Sequence, residues 1–377
     1  MAPKETWHAK SCDWKLASGP ALLAAALVLV GCNLPGGTDA AAATGPAKLV
    51  ALPDGRRINL RCTGRGSPTV LLESGFGANS GAWYKVQPAL ARLTRVCAYD
   101  RAGSGFSDPG PLPRDGAAIA RDLDETLTTA RITGPFVVVG HSAGGLYARL
   151  FAARRKGQVV GLVLLDPTVE RRAPQPVGDG LDGIRRRVQR CLATSEAAPQ
   201  PERSDPRWTG CFSAKSPAHA IEAARRPDTW RNQLSELDSI FGRTSDQVFR
   251  AAGLLGSIPT YVITASDSAA AAPTYGFDKP QSVLVLQHQM IARLSETGSQ
   301  QTVLSSHMIM LDRPDVVISA AEAMVRASRA NQPPEPLPAN GLDSDTTTDP
   351  FRLPDGGEDE TPALPPPPIA APQPWPR

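Results

Sequence analysis

The chain of 377 residues carries 40 Lys and Arg against 37 Asp and Glu, a net charge of +3 with neutral histidines. That balance is too small to draw nucleic acid, and no basic patch interleaved with aromatics supplies a surface for it. Metal-ligand spacings, a phosphate-cradling glycine loop and a dinucleotide fingerprint are all lacking, so no cofactor or metal is expected.

At the front, Lys4, Lys10 and Lys15 precede an uncharged stretch from Gly19 to Gly31 with the core Ala21 to Val30. This is short for a membrane span and suited to the apolar part of an export signal. The stretch ends Leu29-Val30-Gly31-Cys32, which resembles the bacterial lipobox. That resemblance implies cleavage before Cys32 and lipidation of its thiol, so residues 1–31 are expected to be a lipoprotein signal peptide. It also implies a lipid-anchored protein of the bacterial cell envelope. Asn33 is not the aspartate that retains lipoproteins at the inner membrane in enteric bacteria, which favours the outer membrane. Residues 32–46 read as a tether.

From residue 47 a β-hairpin is expected around Asp54-Gly55, its second strand running from Arg57 to Arg61. Thr69 to Glu73 is the next apolar strand and runs into Ser74-Gly75-Phe76-Gly77. Glycines there let a backbone N–H turn inward, and Phe76 is the expected donor. Val96 to Tyr99 forms a further strand, with Asp100 after it reading as a structural loop anchor.

Phe136-Val137-Val138-Val139-Gly140-His141-Ser142-Ala143-Gly144-Gly145 is the most informative stretch of the chain. An apolar strand enters Gly-x-Ser-x-Gly, and a helix-compatible segment follows from Leu146 to Arg154. Small residues around Ser142 let a very tight strand-to-helix turn close, raising the hydroxyl clear of the sheet. At a helix N-terminus the free N–H groups and the dipole favour developing negative charge. The Ala143 N–H is therefore the expected partner of Phe76 in an oxyanion hole.

Gly161 to Leu165 is an apolar strand ending at Asp166. Residues 167–256 then break the strand–helix alternation with arginine-rich, helix-prone segments, among them Ile184 to Leu192 and Thr229 to Phe241, and read as a cap insertion. Pro259 to Ala265 is a strand followed by Ser266-Asp267. Thr302 to Leu304 leads through Ser305-Ser306 to His307, and a helix is expected from about Pro314. Of the five histidines, His307 has the loop position after a late strand that suits a general base. His8 falls in the leader, His141 inside the tight turn, and His219 and His288 in polar helical settings that read as surface. From 331 the chain turns Pro-rich and acidic and is expected to be a disordered tail.

Taken together, these motifs resemble the α/β-hydrolases over roughly residues 47 to 330. The resemblance rests on Leu72 to Gly77, Tyr99 to Gly105, the Ser142 elbow and His307 to Pro314, in the chain order nucleophile, acid, histidine. It implies an α/β fold with a mainly parallel sheet covered by helices on both faces, built from residues 47–166 and 257–330. Many relatives have His-Gly before the oxyanion residue where this chain has Ser74-Gly75; because the hole uses backbone groups, it is expected to survive. The resemblance also places the orienting acid at Asp267, after the strand preceding the histidine strand, with Asp166 as the rival used by some members. In this fold the second strand runs antiparallel beside the fourth. That implies a Cys62–Cys97 disulfide, with Cys191–Cys211 inside the insertion, as an even set in an oxidising compartment favours.

The expected activity is that of a serine hydrolase acting on a small-molecule acyl substrate, foremost a carboxylic ester, through an acyl-enzyme on Ser142. A serine nucleophile argues against the aspartate-based epoxide hydrolases and dehalogenases. The same triad serves amide and carbon–carbon bond hydrolysis, so an aminopeptidase-like or carbon–carbon hydrolase is the enzymatic alternative. A non-catalytic, envelope-tethered binding protein is the alternative of another class.

Overall fold

The computed structural model describes residues 45–170, 181–213, 216–275 and 281–336. The leader, Cys32, nearly all of the tether and most of the Pro-rich tail lie outside them.

Eight strands form one sheet in the order β1-β2-β4-β3-β5-β6-β7-β10. The strands are β1 (Lys48–Ala51), β2 (Arg57–Thr63), β3 (Thr69–Glu73), β4 (Val96–Tyr99), β5 (Phe136–His141), β6 (Val159–Leu165), β7 (Thr260–Ala265) and β10 (Ser299–Val303). The short β8 (Thr274–Tyr275) and β9 (Gln281–Ser282) pair separately. β2 is antiparallel to β1 and β4, as the hairpin requires, and every other pairing in the large sheet is parallel. This is the α/β-hydrolase architecture.

The parallel strands are apolar on both faces because helices cover both. Along β5, Phe136 and Val138 enter one core with Ile119 and Leu123 of α2 (Gly116–Thr129) and Leu146 and Phe151 of α3 (Ala143–Arg154). Val137 and Val139 enter the other, against Val317, Ala321 and Met324 of α11 (Pro314–Ala330). Each of these larger side chains, fully buried, contributes about 1.5–3 kcal/mol. Helix ends carry local signals: Asp115 caps α2 by accepting from the Ala118 N–H at 3.0 Å. α11 opens on Pro314 and stops where Asn331 turns left-handed. The remaining core helices are short: α1 (Gln87–Leu90), α8 (Ser266–Ala271), α9 (Val283–Ala292) and α10 (Ile309–Asp312).

Between β6 and β7 stand α4 (Asp182–Glu196), α5 (Ala218–Arg225), α6 (Pro227–Ser239) and α7 (Ser245–Ala251). Val188 and Cys191 of α4 pack with Ala224 and Trp230 into a small core of their own, and Phe76 lies against it. The Cys191–Cys211 disulfide ties α4 to the turn after Trp208. Cys62 and Cys97 stand directly opposite one another on β2 and β4 and are bonded, as the antiparallel pairing implies.

Candidate active site

The strand order brings three carboxyl ends side by side, since β3 and β6 flank β5. β3, β5 and β6 carry the glycine turn, Ser142 and Asp166 respectively.

Ser142 holds φ 53°, ψ −126° between the end of β5 and the start of α3, the strained turn of a nucleophile elbow. Its neighbours must be small: a Cβ on Gly144 would stand 2.5 Å from the Glu73 carbonyl oxygen. The glycine turn after β3 presses as closely, because a Cβ on Gly75 would lie 2.8 Å from Nδ1 of His141 and 3.1 Å from Cβ of Ser142. The turn bearing Phe76 is thereby set against the serine.

His307 follows β10 in a loop fixed by Asp312, whose Oδ2 accepts from the Ser306 N–H at 3.0 Å and from its hydroxyl at 2.5 Å. The His307 ring stands 4.7 Å, centroid to centroid, from that of His141, and Nε2 of His141 donates to the His307 carbonyl oxygen at 2.8 Å. This contact locks the histidine loop to the elbow. Burial, and then the neighbouring His307, push His141 down to about 3, so it stays neutral and serves as a strut, not as a base. Nε2 of His307 is buried and hydrogen-bonds to no described residue, Ser142 included.

The expected pairing of Asp267 with His307 needs correction. Nδ1 of His307 lies 2.6 Å from Oδ2 of Asp166, and Asp267 does not meet the ring. β7 runs straight into α8, which directs the Asp267 side chain to solvent while its backbone N–H donates to the Ser305 carbonyl oxygen at 3.2 Å. Asp267 thus braces the histidine loop through its main chain alone.

Asp166 adopts a left-handed φ of 42° and is held by several bonds. Its Oδ1 accepts from the Ala265 N–H at 3.1 Å, and its Oδ2 accepts from the Ser268 hydroxyl at 2.5 Å. Burial alone would raise its pKa. The hydrogen bond and charge of His307, with His288 and Ser268, outweigh that and hold the carboxyl below the usual range.

His288, read from sequence as a surface residue, is fully buried on α9. Its Nδ1 meets the Thr264 hydroxyl at 2.8 Å and its Nε2 the Pro167 carbonyl oxygen at 2.9 Å. The carbonyl can only accept, so Nε2 carries the proton and Nδ1 accepts from Thr264. This ring anchors Pro167, the residue after Asp166. The apolar run Val283 to Leu286 and Ile291 around it was the available signal of burial. Asp100 is the structural anchor its position suggested, accepting from Asn59 Nδ2 and from the N–H groups of Ser80 and Phe106.

Comparison with known proteins gives the family. Residues 70–320 match the alpha/beta hydrolase family, and the chain belongs to it. It is 32% identical over 157 residues to the lipase LipV of Mycobacterium tuberculosis, a match spanning 40% of this chain and 54% of that one. To a putative carbamate hydrolase, RutD, of Agrobacterium fabrum it is 33% identical over 102 residues, 26% of this chain and 38% of the relative. The curated relatives are matched over 15% to 54% of their own lengths. A solved structure of a putative lipase from Acinetobacter baumannii shares the fold with a TM-score of 0.56 at 18% identity, covering 78% of this chain and 95% of that one.

Proposed function

We propose that this hydrolase is a serine hydrolase acting on carboxylic esters, with Ser142, His307 and Asp166 as its triad. The observation that carries the reading is the 2.6 Å Asp166–His307 contact beside a strained Ser142 elbow. Ser142 Oγ attacks the acyl carbon as His307 Nε2 takes its proton, while Asp166 fixes the tautomer and steadies the imidazolium. The Phe76 and Ala143 N–H groups receive the oxyanion. His307 then protonates the departing alcohol. A water gives its proton to the same nitrogen as it attacks the acyl-enzyme, and collapse releases the acid and restores Ser142.

The similarity to a putative carbamate hydrolase favours amide-class bonds as the second reading. Assaying the full chain and Ser142→Ala against acyl esters of graded length, with amides alongside, tests both. Ester turnover that Ser142→Ala abolishes supports the first, amide turnover without ester turnover the second, and hydrolysis surviving in the variant defeats both. We also propose lipid anchoring at Cys32, motivated by Leu29-Val30-Gly31-Cys32. Cys32→Ala should then fail to be processed or leave the membrane fraction, and wild-type fractionation with wild-type migration would refute it.

A further inference from the structure

Behind the glycine turn lies a buried ionic group that the chemistry above does not use. Arg101, 4% exposed, follows β4. Its Nη1 donates to Oε1 of Glu73 at 2.8 Å and to the Ser74 carbonyl oxygen at 2.6 Å. Its Nη2 donates to the Gly75 carbonyl oxygen at 2.7 Å and to Oε1 of Glu236 at 3.0 Å. The carboxylates are held in turn: the Tyr99 hydroxyl donates to Glu73 at 2.5 Å and the Tyr147 hydroxyl to Glu236 at 3.1 Å. Arg101, Glu73 and both tyrosines belong to the core, whereas Glu236 comes from α6 among the inserted helices.

Peptide geometry gives this group a direction. The Gly75 carbonyl and the Phe76 N–H belong to one peptide unit, and in a planar trans peptide they point opposite ways. Whatever fixes the Gly75 oxygen therefore fixes the aim of the Phe76 N–H. The Ala78 N–H also reaches that oxygen, at the longer distance of 3.2 Å. The guanidinium supplies the shorter, charge-assisted bond and grips the preceding carbonyl as well, a planar fork that a lysine cannot reproduce. Burying three ionisable groups contributes little net stability, so the arrangement calls for a role other than holding the fold.

We propose that Arg101 is a positioning residue that aims the Phe76 N–H at the reacting oxygen, and that Glu236 makes this aim depend on the seating of the inserted helices. The inference rests on the serine-hydrolase reading above. Substrate held beneath those helices and the oxyanion donor are thereby coupled through one side chain, Arg101.

Full-chain Glu236→Ala, Glu236→Gln and Arg101→Lys, each checked for a wild-type circular dichroism spectrum, are assayed with a p-nitrophenyl ester. Binding of an alkyl trifluoromethyl ketone, whose adduct carries an oxyanion, is measured in parallel. Glu236→Ala is expected to lower kcat about 10- to 100-fold with little change in KM. Affinity for the ketone should fall in step with kcat. Glu236→Gln keeps a neutral acceptor and should lose less, and Arg101→Lys should lose more. A folded Glu236→Ala with wild-type kcat, or with its whole loss in KM, overturns the proposal. Should the alanine variant not fold, Glu236→Gln is read alone, and wild-type kcat there overturns it too. Hydrolysis surviving in Ser142→Ala would instead defeat the underlying serine-hydrolase reading, leaving the two failures distinct.

Discussion

Oδ2 of Asp166 lies 2.6 Å from Nδ1 of His307, and the aspartate reaches it from a left-handed backbone with φ 42°. Such a conformation costs a non-glycine residue on the order of 1–3 kcal/mol and persists only where its surroundings enforce it. Here the Asp166 N–H donates to the Ile263 carbonyl at 2.7 Å, and the Ala265 N–H and Ser268 hydroxyl hold its carboxylate.

Replacing Asp166 tests the pairing. Asp166→Asn keeps the shape but favours the wrong imidazole tautomer, and turnover should fall on the order of 10⁴-fold. Asp267→Asn should stay close to wild type, because its side chain faces solvent and only its main chain touches the histidine loop. Steady-state kinetics of both variants decide between them, and the reverse pattern would restore Asp267.

His288 should matter for stability first and rate second. His288→Leu leaves the buried Pro167 carbonyl without the donor it now has at 2.9 Å, costing about 1–3 kcal/mol. A lowered thermal midpoint with a modest loss of kcat is expected. An unchanged midpoint would show that the ring does not anchor the acid's turn.

Buried ionisable groups should shape the pH dependence of stability with opposite signs. His141 has its pKa lowered from 6.5 to about 3. Between those values the unfolded chain binds the extra proton, so stability falls as pH drops below about 6.5. Glu73 is raised from 4.5 to about 7, chiefly by burial against the pull of Arg101 and Tyr99. There the folded state holds the extra proton, so this group's contribution weakens as pH climbs from about 4.5 through 7. The two windows overlap between about 4.5 and 6.5 with opposing slopes, so denaturant melts across pH 4 to 8 should show Glu73→Gln steepening the rise in that range and removing the decline towards pH 7. Equal slopes in variant and wild type would contradict this.

The Cys62–Cys97 bridge closes a loop with a sequence separation of 35. Replacing both cysteines with serine should cost about 3–4 kcal/mol by loop entropy, read as a lowered denaturant midpoint. The site lies at other strand ends, so activity of the folded fraction should survive.

What the sequence carried was local. Gly-x-Ser-x-Gly after an apolar strand, the glycine turn at Phe76 and the loop at His307 each depend on a few contiguous residues, and the structure sets the glycine turn against Ser142 and bonds the His307 loop to His141. Which carboxylate meets His307 depends on a relation between strands. Asp166 and Asp267 both leave apolar strands near the histidine loop, and only the direct passage of β7 into α8 turns Asp267 away. Glu236 and Arg101 stand 135 positions apart, and no local pattern links them. His288 misled because its glutamine neighbours masked the apolar character of α9, which packs on β7 and β10 with His288, Ile291 and Ala292 buried.

The proposed function requires Ser142 to be an activated nucleophile. It is tested most directly by treating the full chain with a fluorophosphonate and mapping the adduct by peptide mass spectrometry. A single label is expected on the peptide bearing Ser142, absent in Ser142→Ala and strongly slowed in Asp166→Asn. No label under conditions that modify a known serine hydrolase, or a label on another residue, would contradict the account.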